Sequence, residues 1–250
     1  MTLLETTKLT KHFGEFRAVA GVDFTVREGE VLALIGSNGA GKTTLVNLVS
    51  GLLRADSGRI QFRGADVTTQ SAHDRIKAGI ARSFQLVNLF DQLTVLDNVA
   101  LSVFSREGMT RRLFRLADLH RSVWQEAADV LREFGLESKA GVPAGGISQG
   151  ERKLLDVAIA YALRPKLLVL DEPTSGVSTR DKAPIMDIVT SIVRSQGITA
   201  VVIEHDMDIV FKYSDRIVVM HQGTMLADGT PDEIRRNDAV TTTLIGTSHA

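Results

Sequence analysis

Short apolar runs bounded by polar and glycine-containing stretches recur early in the chain and again near its end, with a long helical interval between. Leu3 to Lys8, Val22 to Val26 and Val31 to Ile35 read as strands, with Gly21 and Glu28-Gly29 as turn signals. A glycine-rich stretch from Gly36 to Gly41 then runs into a predicted helix over 42–50 that Gly51 ends. Residues 52–85 mix short strands with one helix around 72–78. From 86 to 146 the strand-like runs disappear. Helical spacing takes over across 95–104 and 123–134, the latter stopping at Gly135. The alternation then resumes with a helix over 151–163, a strand over 167–170, a helix over about 181–195 and a strand over 199–203. Strands separated by helices imply right-handed crossovers and a parallel sheet covered on its faces. The strandless interval reads as a helical lobe inserted into that α/β layer.

Composition narrows the picture without redirecting it. A chain of 250 residues can form one large α/β domain with an inserted lobe. A formal net charge of −1 gives no electrostatic reason to expect nucleic acid, which calls for a basic face. With 0 cysteines, disulfides and Cys-ligated zinc are excluded. Met1 to Lys11 lacks the basic stretch and apolar run of a signal peptide. No apolar run nears the roughly 18 residues that span a bilayer. The expected compartment is the cytoplasm.

Two stretches carry candidate chemistry. Gly36, Ser37, Asn38, Gly39, Ala40, Gly41, Lys42 and Thr43 fit G-x-x-x-x-G-K-[ST] between a predicted strand and a predicted helix, with Thr44 following. The glycines let successive backbone N–H groups turn inward around phosphates, and the helix N-terminus adds its positive dipole end. Lys42 would reach the β- and γ-phosphates of a nucleotide, and the Thr43 hydroxyl would ligate Mg²⁺. The competing reading is a glycine-rich turn with an incidental lysine; the flanking strand and helix count against it. Leu167 to Leu170 is an apolar strand that ends in Asp171-Glu172. At the carboxyl end of a parallel strand these acids would face the same crevice as the phosphate loop. Asp171 is placed to hold Mg²⁺ or its waters, and Glu172 suits a general base for an attacking water. Two solvated acids at a strand end are the plainer alternative.

One helix before that strand stands Ile147-Ser148-Gln149-Gly150-Glu151, which resembles the ABC signature motif, usually Leu-Ser-Gly-Gly-Gln. Gln85, in Arg82-Ser-Phe-Gln85, resembles the Q-loop glutamine, and His205, after Val201-Val-Ile-Glu, resembles the switch histidine. Phe13 stands where the family places an aromatic that stacks on adenine. Phosphate loop, glutamine, signature, acidic pair and histidine occur in family order over most of the chain. The sequence is thus similar to ATP-binding subunits of ABC transporters. That resemblance implies a P-loop NTPase (RecA-like) α/β core with a parallel sheet, an N-terminal antiparallel β subdomain and an inserted α-helical subdomain. Within one nucleotide-binding domain, residues 1–85 and 164–225 would form the core, 86–163 the helical subdomain and 226–250 a C-terminal tail. It also implies that Gln85 contacts Mg²⁺ and water, that His205 bonds the γ-phosphate, and that Ser148, Gln149 and Gly150 meet ATP held by a second subunit in a head-to-tail dimer. From the residues alone, Ser148 and Glu151 make a capping box.

Gly79-Ile-Ala-Arg82-Ser-Phe-Gln85, Leu93-Thr-Val-Leu96-Asp-Asn-Val99 and Glu204-His-Asp-Met207 are further similar to ATPases of branched-chain amino-acid importers. The expected partners are then two membrane permease subunits, a second ATPase chain and, indirectly, a periplasmic binding protein, with this chain peripheral on the inner face of the membrane. A lipopolysaccharide-export ATPase, a soluble ABC ATPase and a low-turnover regulatory subunit remain as alternatives. Four residues depart from the family pattern: Gln149, Glu151 and the pair Val177-Ser178, which replaces a usual Leu-Asp. Glu151 would bring negative charge nearer to ATP. Arg106, Arg111, Arg112, Arg115 and Arg121 read as a solvated basic face.

Overall fold

The structure, a computed structural model, describes residues 1–83, 89–108 and 116–244. Two long strands, β1 (Thr2–Phe13) and β2 (Phe16–Arg27), form an antiparallel hairpin that turns through Gly14-Glu15. Both extend well past the apolar cores legible in the sequence. Leu4, Leu9, Val22, Phe24 and Val26 face inward, while Thr, Lys and Arg occupy many outward positions and dilute the apolar signal. With β4 (Ser57–Phe62) and β5 (Ala65–Asp66) they make a sheet of order β2-β1-β4-β5.

A second sheet combines β3 (Val31–Gly36), β6 (Ile80–Arg82), β7 (Leu167–Asp171), β8 (Thr199–Ile203), β9 (Arg216–His221) and β10 (Thr224–Gly229) in the order β10-β9-β3-β8-β7-β6. All its pairings are parallel except β9 with β10. Along β3, Leu32 and Leu34 enter one core while Ala33 and Ile35 enter another, so the sheet is buried on both faces. That is why β3, β7 and β8 read as unbroken apolar runs. Neither β9 nor β10 is anticipated from the sequence, although Ile217 to Met220 is an apolar run that is fully buried. β10 takes the first part of 226–250 into the sheet. The helices α8 (Pro231–Arg235) and α9 (Asp238–Leu244) follow, burying Ile234 and Val240 in the core that Ala33 and Ile35 enter, so both helices are docked on the sheet.

The crossovers carry α1 (Lys42–Ser50), α2 (Ala72–Ala78), α6 (Thr179–Ser195) and α7 (Met207–Tyr213). Between β6 and β7 lie α3 (Val95–Arg106), α4 (Leu116–Glu133) and α5 (Gln149–Tyr161). Val95, Val99 and Val103 of α3 meet Val123, Ala127 and Val130 of α4 at helical spacing. Arg106 is not part of a solvated basic face: it lies 2.8 Å from Glu126 and donates to the Ala162 carbonyl at 2.8 Å, tying the lobe together. α4 begins at Leu116 rather than Val123, and α5 at Gln149 rather than Glu151, because Ser148 occupies the N-cap. Arg111, Arg112 and Arg115 lie outside the described residues.

One buried cation fixes the helix that follows the phosphate loop. Arg75, on α2 and 1% exposed, donates to the carbonyls of Leu48, of Val49 at 2.8 Å and of Thr68 at 3.0 Å. The Leu48 carbonyl also accepts from the Gly51 N–H at 3.3 Å, and the other last-turn carbonyls of a helix lack intrahelical donors. Arg75→Met is expected to destabilise the fold by about 3 kcal/mol, because it strands buried acceptors. Urea denaturation checks it, and a change under about 0.5 kcal/mol would mean that these carbonyls find other partners.

Candidate nucleotide site

The loop from β3 into α1 has a shape that its sequence requires. Gly36 has φ 152° and Gly41 φ 102°. A Cβ at Gly36 would lie 2.2 Å from the Met220 carbonyl oxygen, and one at Gly41 would lie 2.3 Å from that of Ala18. No other residue fits either place. Ala40 N–H donates to the Ser37 carbonyl at 3.1 Å, which closes the turn. α1 starts without a side-chain cap and without an acidic residue in its first turn, so its positive end is left open. A cavity of about 270 Å³ lies over this end. Asn38, Gly39, Ala40, Gly41, Lys42, Thr43 and Thr44 line it on one side, Glu172 and His205 on another, and Phe13, Phe16 and Ala18 at the hairpin. Gly36 and Ser37 form the start of the loop behind it. Phe13 and Phe16 are 49% and 59% exposed, two aromatic faces at one rim, of which only Phe13 is expected from the sequence.

Lys42 is buried, and its Nζ donates to the Gly36 and Ser37 carbonyls at 2.7 and 3.0 Å. Burial lowers its pKa, opposed by the nearby charges of Glu172 and Asp171. Two of its three N–H groups are engaged by the loop itself.

β7 and β8 pair with Asp171 opposite Ile203, so the residues after the two strands emerge side by side. His205 Nε2 consequently sits 3.1 Å from Glu172 Oε1. Glu204, buried, accepts from the Thr174 N–H at 3.1 Å and its hydroxyl at 2.6 Å, locking the two loops. Glu172 has φ 52°, the left-handed region that a side-chain-bearing residue rarely occupies and that costs on the order of 1 kcal/mol or more. Its N–H donates to the Ile203 carbonyl at 2.9 Å, while its own carbonyl accepts from Ser175 N–H at 3.1 Å and Lys153 Nζ at 3.1 Å.

Asp171 is buried to 2% exposure. Its Oδ2 meets Arg82 Nη2 at 2.5 Å, and Arg82 also bonds Asn47 of α1. Among the described residues, Asp171 Oδ1 is buried without a hydrogen-bond partner. An orphaned carboxylate oxygen calls for a cation. Thr43 lines the cavity, Asp171 ends β7 one residue before the lining Glu172, and a hydroxyl with a carboxylate is the hard-oxygen donor set that Mg²⁺ takes when substrate phosphates and water complete its shell. The residues present therefore fit that ion. The Arg82 and Lys153 contacts escape sequence reasoning: each joins separate elements, and Lys153 follows Glu151-Arg152 with nothing local to mark it as buried.

Ser148, Gln149 and Gly150 lie elsewhere. Ser148 caps α5, accepting from Glu151 N–H at 3.3 Å while Glu151 Oε2 accepts from Ser148 N–H at 2.7 Å. Ser148 and Gln149 are exposed, and none of the three lines the cavity. Burial works against the Glu151 charge, but the Ser148 groups and Lys139, 3.3 Å away, hold its pKa below the usual value. Ser148 thus presents its helix end outward from this chain. Ser178 stands at the N-cap position of α6, and its hydroxyl donates to the Asp181 carboxylate at 2.6 Å rather than accepting from the helix N–H groups. Gln85 lies outside the described residues.

The family model described as ABC transporter matches residues 19–175. The high-affinity branched-chain amino acid transport ATP-binding protein BraF of Pseudomonas aeruginosa is 35% identical over 98% of this chain and 98% of its own. A probable branched-chain amino acid transport ATP-binding protein, LivG, of Methanocaldococcus jannaschii is 34% identical over 95% of this chain and 93% of its own. An ATP-binding cassette of an ABC transporter, solved in its ADP conformation, superposes with a TM-score of 0.86 at 31% identity, covering 98% of this chain and 99% of that one. A cassette solved as a dimer in a post-hydrolysis state with ADP and Pi gives 0.77 at 25% identity, covering 92% and 99%. The chain belongs to the ATP-binding subunits of ABC transporters, ATPase cassettes of P-loop fold, and is homologous to the branched-chain amino-acid transport members.

Proposed function

We propose that this chain powers an ABC importer of branched-chain or other small amino acids, hydrolysing ATP with Mg²⁺ at the inner face of the membrane. The observation that carries the substrate class is similarity to branched-chain amino acid transport ATP-binding proteins over 98% of both chains. Among the described residues no helix is long and apolar enough to cross a membrane, so permease subunits supply the path.

In this reading the nucleotide enters with its base on Phe13 and its phosphates over Gly36 to Gly41. Lys42 turns from the loop carbonyls to the β- and γ-phosphate oxygens. Thr43 and Asp171 Oδ1, with Gln85, would hold Mg²⁺, which neutralises phosphate charge when bound. Glu172 accepts a proton from the attacking water as its oxygen bonds to the γ-phosphorus. The bond to the bridging oxygen breaks, and ADP and inorganic phosphate form. His205 donates to a γ-phosphate oxygen and keeps Glu172 aimed. Ser148, Gln149 and Gly150 meet the phosphates held by a second ATPase chain, so ATP favours a closed head-to-tail pair. Leu52, Ile76, Phe90 and Leu101, all exposed, line a groove of about 570 Å³ between α2 and the lobe. It suits an apolar helix of the permease. A periplasmic binding protein would deliver the solute.

Uptake of labelled leucine, isoleucine and valine, measured in the native host with and without the chain, tests the substrate class. Loss of high-affinity uptake is the expected result. Unchanged uptake of all three would contradict it.

A further inference from the structure

The lysine inside α5 stands apart from the roles assigned so far. Lys153 is 3% exposed. Its Nζ lies 2.9 Å from the Ser175 hydroxyl and 3.1 Å from the Glu172 carbonyl oxygen. Both acceptors are neutral, and among the described residues it forms no ion pair. Burying an ammonium against neutral acceptors alone is costly. Between Glu172 and Arg180 the sequence carries no charged side chain, so Lys153 is the charged group that reaches the Glu172 peptide through its own hydrogen bond.

That peptide needs holding. Glu172 sits at φ 52°, and its side chain is useful only while the backbone keeps it beside His205. Its N–H is fixed by β8; its carbonyl is fixed by Ser175 and by Lys153. The lysine belongs to α5, whose N-cap Ser148 lies five residues earlier and about 7.5 Å along the axis. One rigid element therefore joins the outward-facing Ser148 end to the backbone of the candidate base.

We propose that Lys153 is a positioning residue: it sets the Glu172 peptide from the signature helix, and so makes hydrolysis in this chain's own cavity depend on ATP engaging the Ser148 end of the same chain. The inference rests on the dimeric ATPase reading above and adds an internal link between its two sites. A shift of α5 on closure moves Nζ against the Glu172 carbonyl; without that contact the base loses its aim while the phosphate cradle stays intact.

The test compares Lys153→Met and Lys153→Arg with the full-length wild type, measuring phosphate release against ATP concentration, equilibrium ATP binding and thermal stability. For Lys153→Met, kcat is expected to fall about a hundredfold, the order that a misplacement of about 1 Å costs. ATP affinity should stay within about twofold, and any sigmoidal dependence on ATP should become hyperbolic. Lys153→Arg, which keeps a cationic donor, should retain most of the turnover. A kcat within about twofold of wild type in Lys153→Met would overturn the proposal. So would a parallel loss of binding and turnover that arginine does not rescue. If the methionine variant does not fold, Lys153→Gln gives the same reading; failure of both to fold would make the lysine a stability residue and overturn the link. A wild-type chain without turnover would instead sink the ATPase reading itself.

Discussion

Glu172→Gln is expected to stop turnover while ATP still binds and holds two chains together. The substitution keeps the size and the backbone, and it removes only the group that accepts a proton from water. General-base contributions run to about a thousandfold, so phosphate release should fall by that order. The cradle from Gly36 to Thr44 is untouched, and so is the Ser148 end of α5. ATP therefore stays in place, and light scattering should show an ATP-dependent dimer that persists because hydrolysis no longer opens it. The contact to His205, 3.1 Å from Glu172 Oε1, survives in a glutamine as an ordinary hydrogen bond. Phosphate release near the wild-type rate would mean that another group activates the water.

Lys42→Ala acts at the earlier step. The ammonium is buried beneath the loop and engages two backbone carbonyls. In the proposed complex it exchanges these for phosphate oxygens, a charge-assisted bond of about 2 kcal/mol. ATP affinity should weaken about thirtyfold, with turnover lost at cellular ATP. Equilibrium binding of a fluorescent ATP analogue measures it. Unchanged affinity would count against the cradle. The two variants separate the steps: one binds without turning over, the other binds poorly.

The phosphate loop was legible because its chemistry is contiguous. Glycines, lysine and threonine follow one another between a strand and a helix, and steric contacts as close as 2.2 Å explain why residues 36 and 41 must be glycine. α1, α2 and β8 could be read nearly to the residue for a similar local reason: glycines or polar residues bound each one. The outward-facing polar positions of β1 and β2 shortened both strands on paper. β9 has no comparable boundary signal of helix and glycine before it, although Ile217 to Met220 is as apolar as the other central strands. The acidic pair was readable as residues but not as geometry. That Glu172 reaches His205 follows from the parallel register of β7 and β8, which no local pattern carries. Arg82 is 89 positions from Asp171, and Lys153 is 19 from Glu172. Arg82 follows the apolar Ile80-Ala81, but Lys153 stands behind Glu151 and Arg152, and only packing shows which partner each finds. The charge of Glu151 also read differently by type than by contact, since its oxygens are engaged by Ser148 and Lys139.

The most direct test is what this chain holds onto in its own membrane. Tagged Glu172→Gln, expressed at native level and solubilised gently with ATP present, should bring down two polytopic membrane proteins and a second ATPase chain, identified by mass spectrometry. Recovery of ribosomes, or of a dimer of this chain with nothing from the membrane, would contradict the importer and leave only an ATPase.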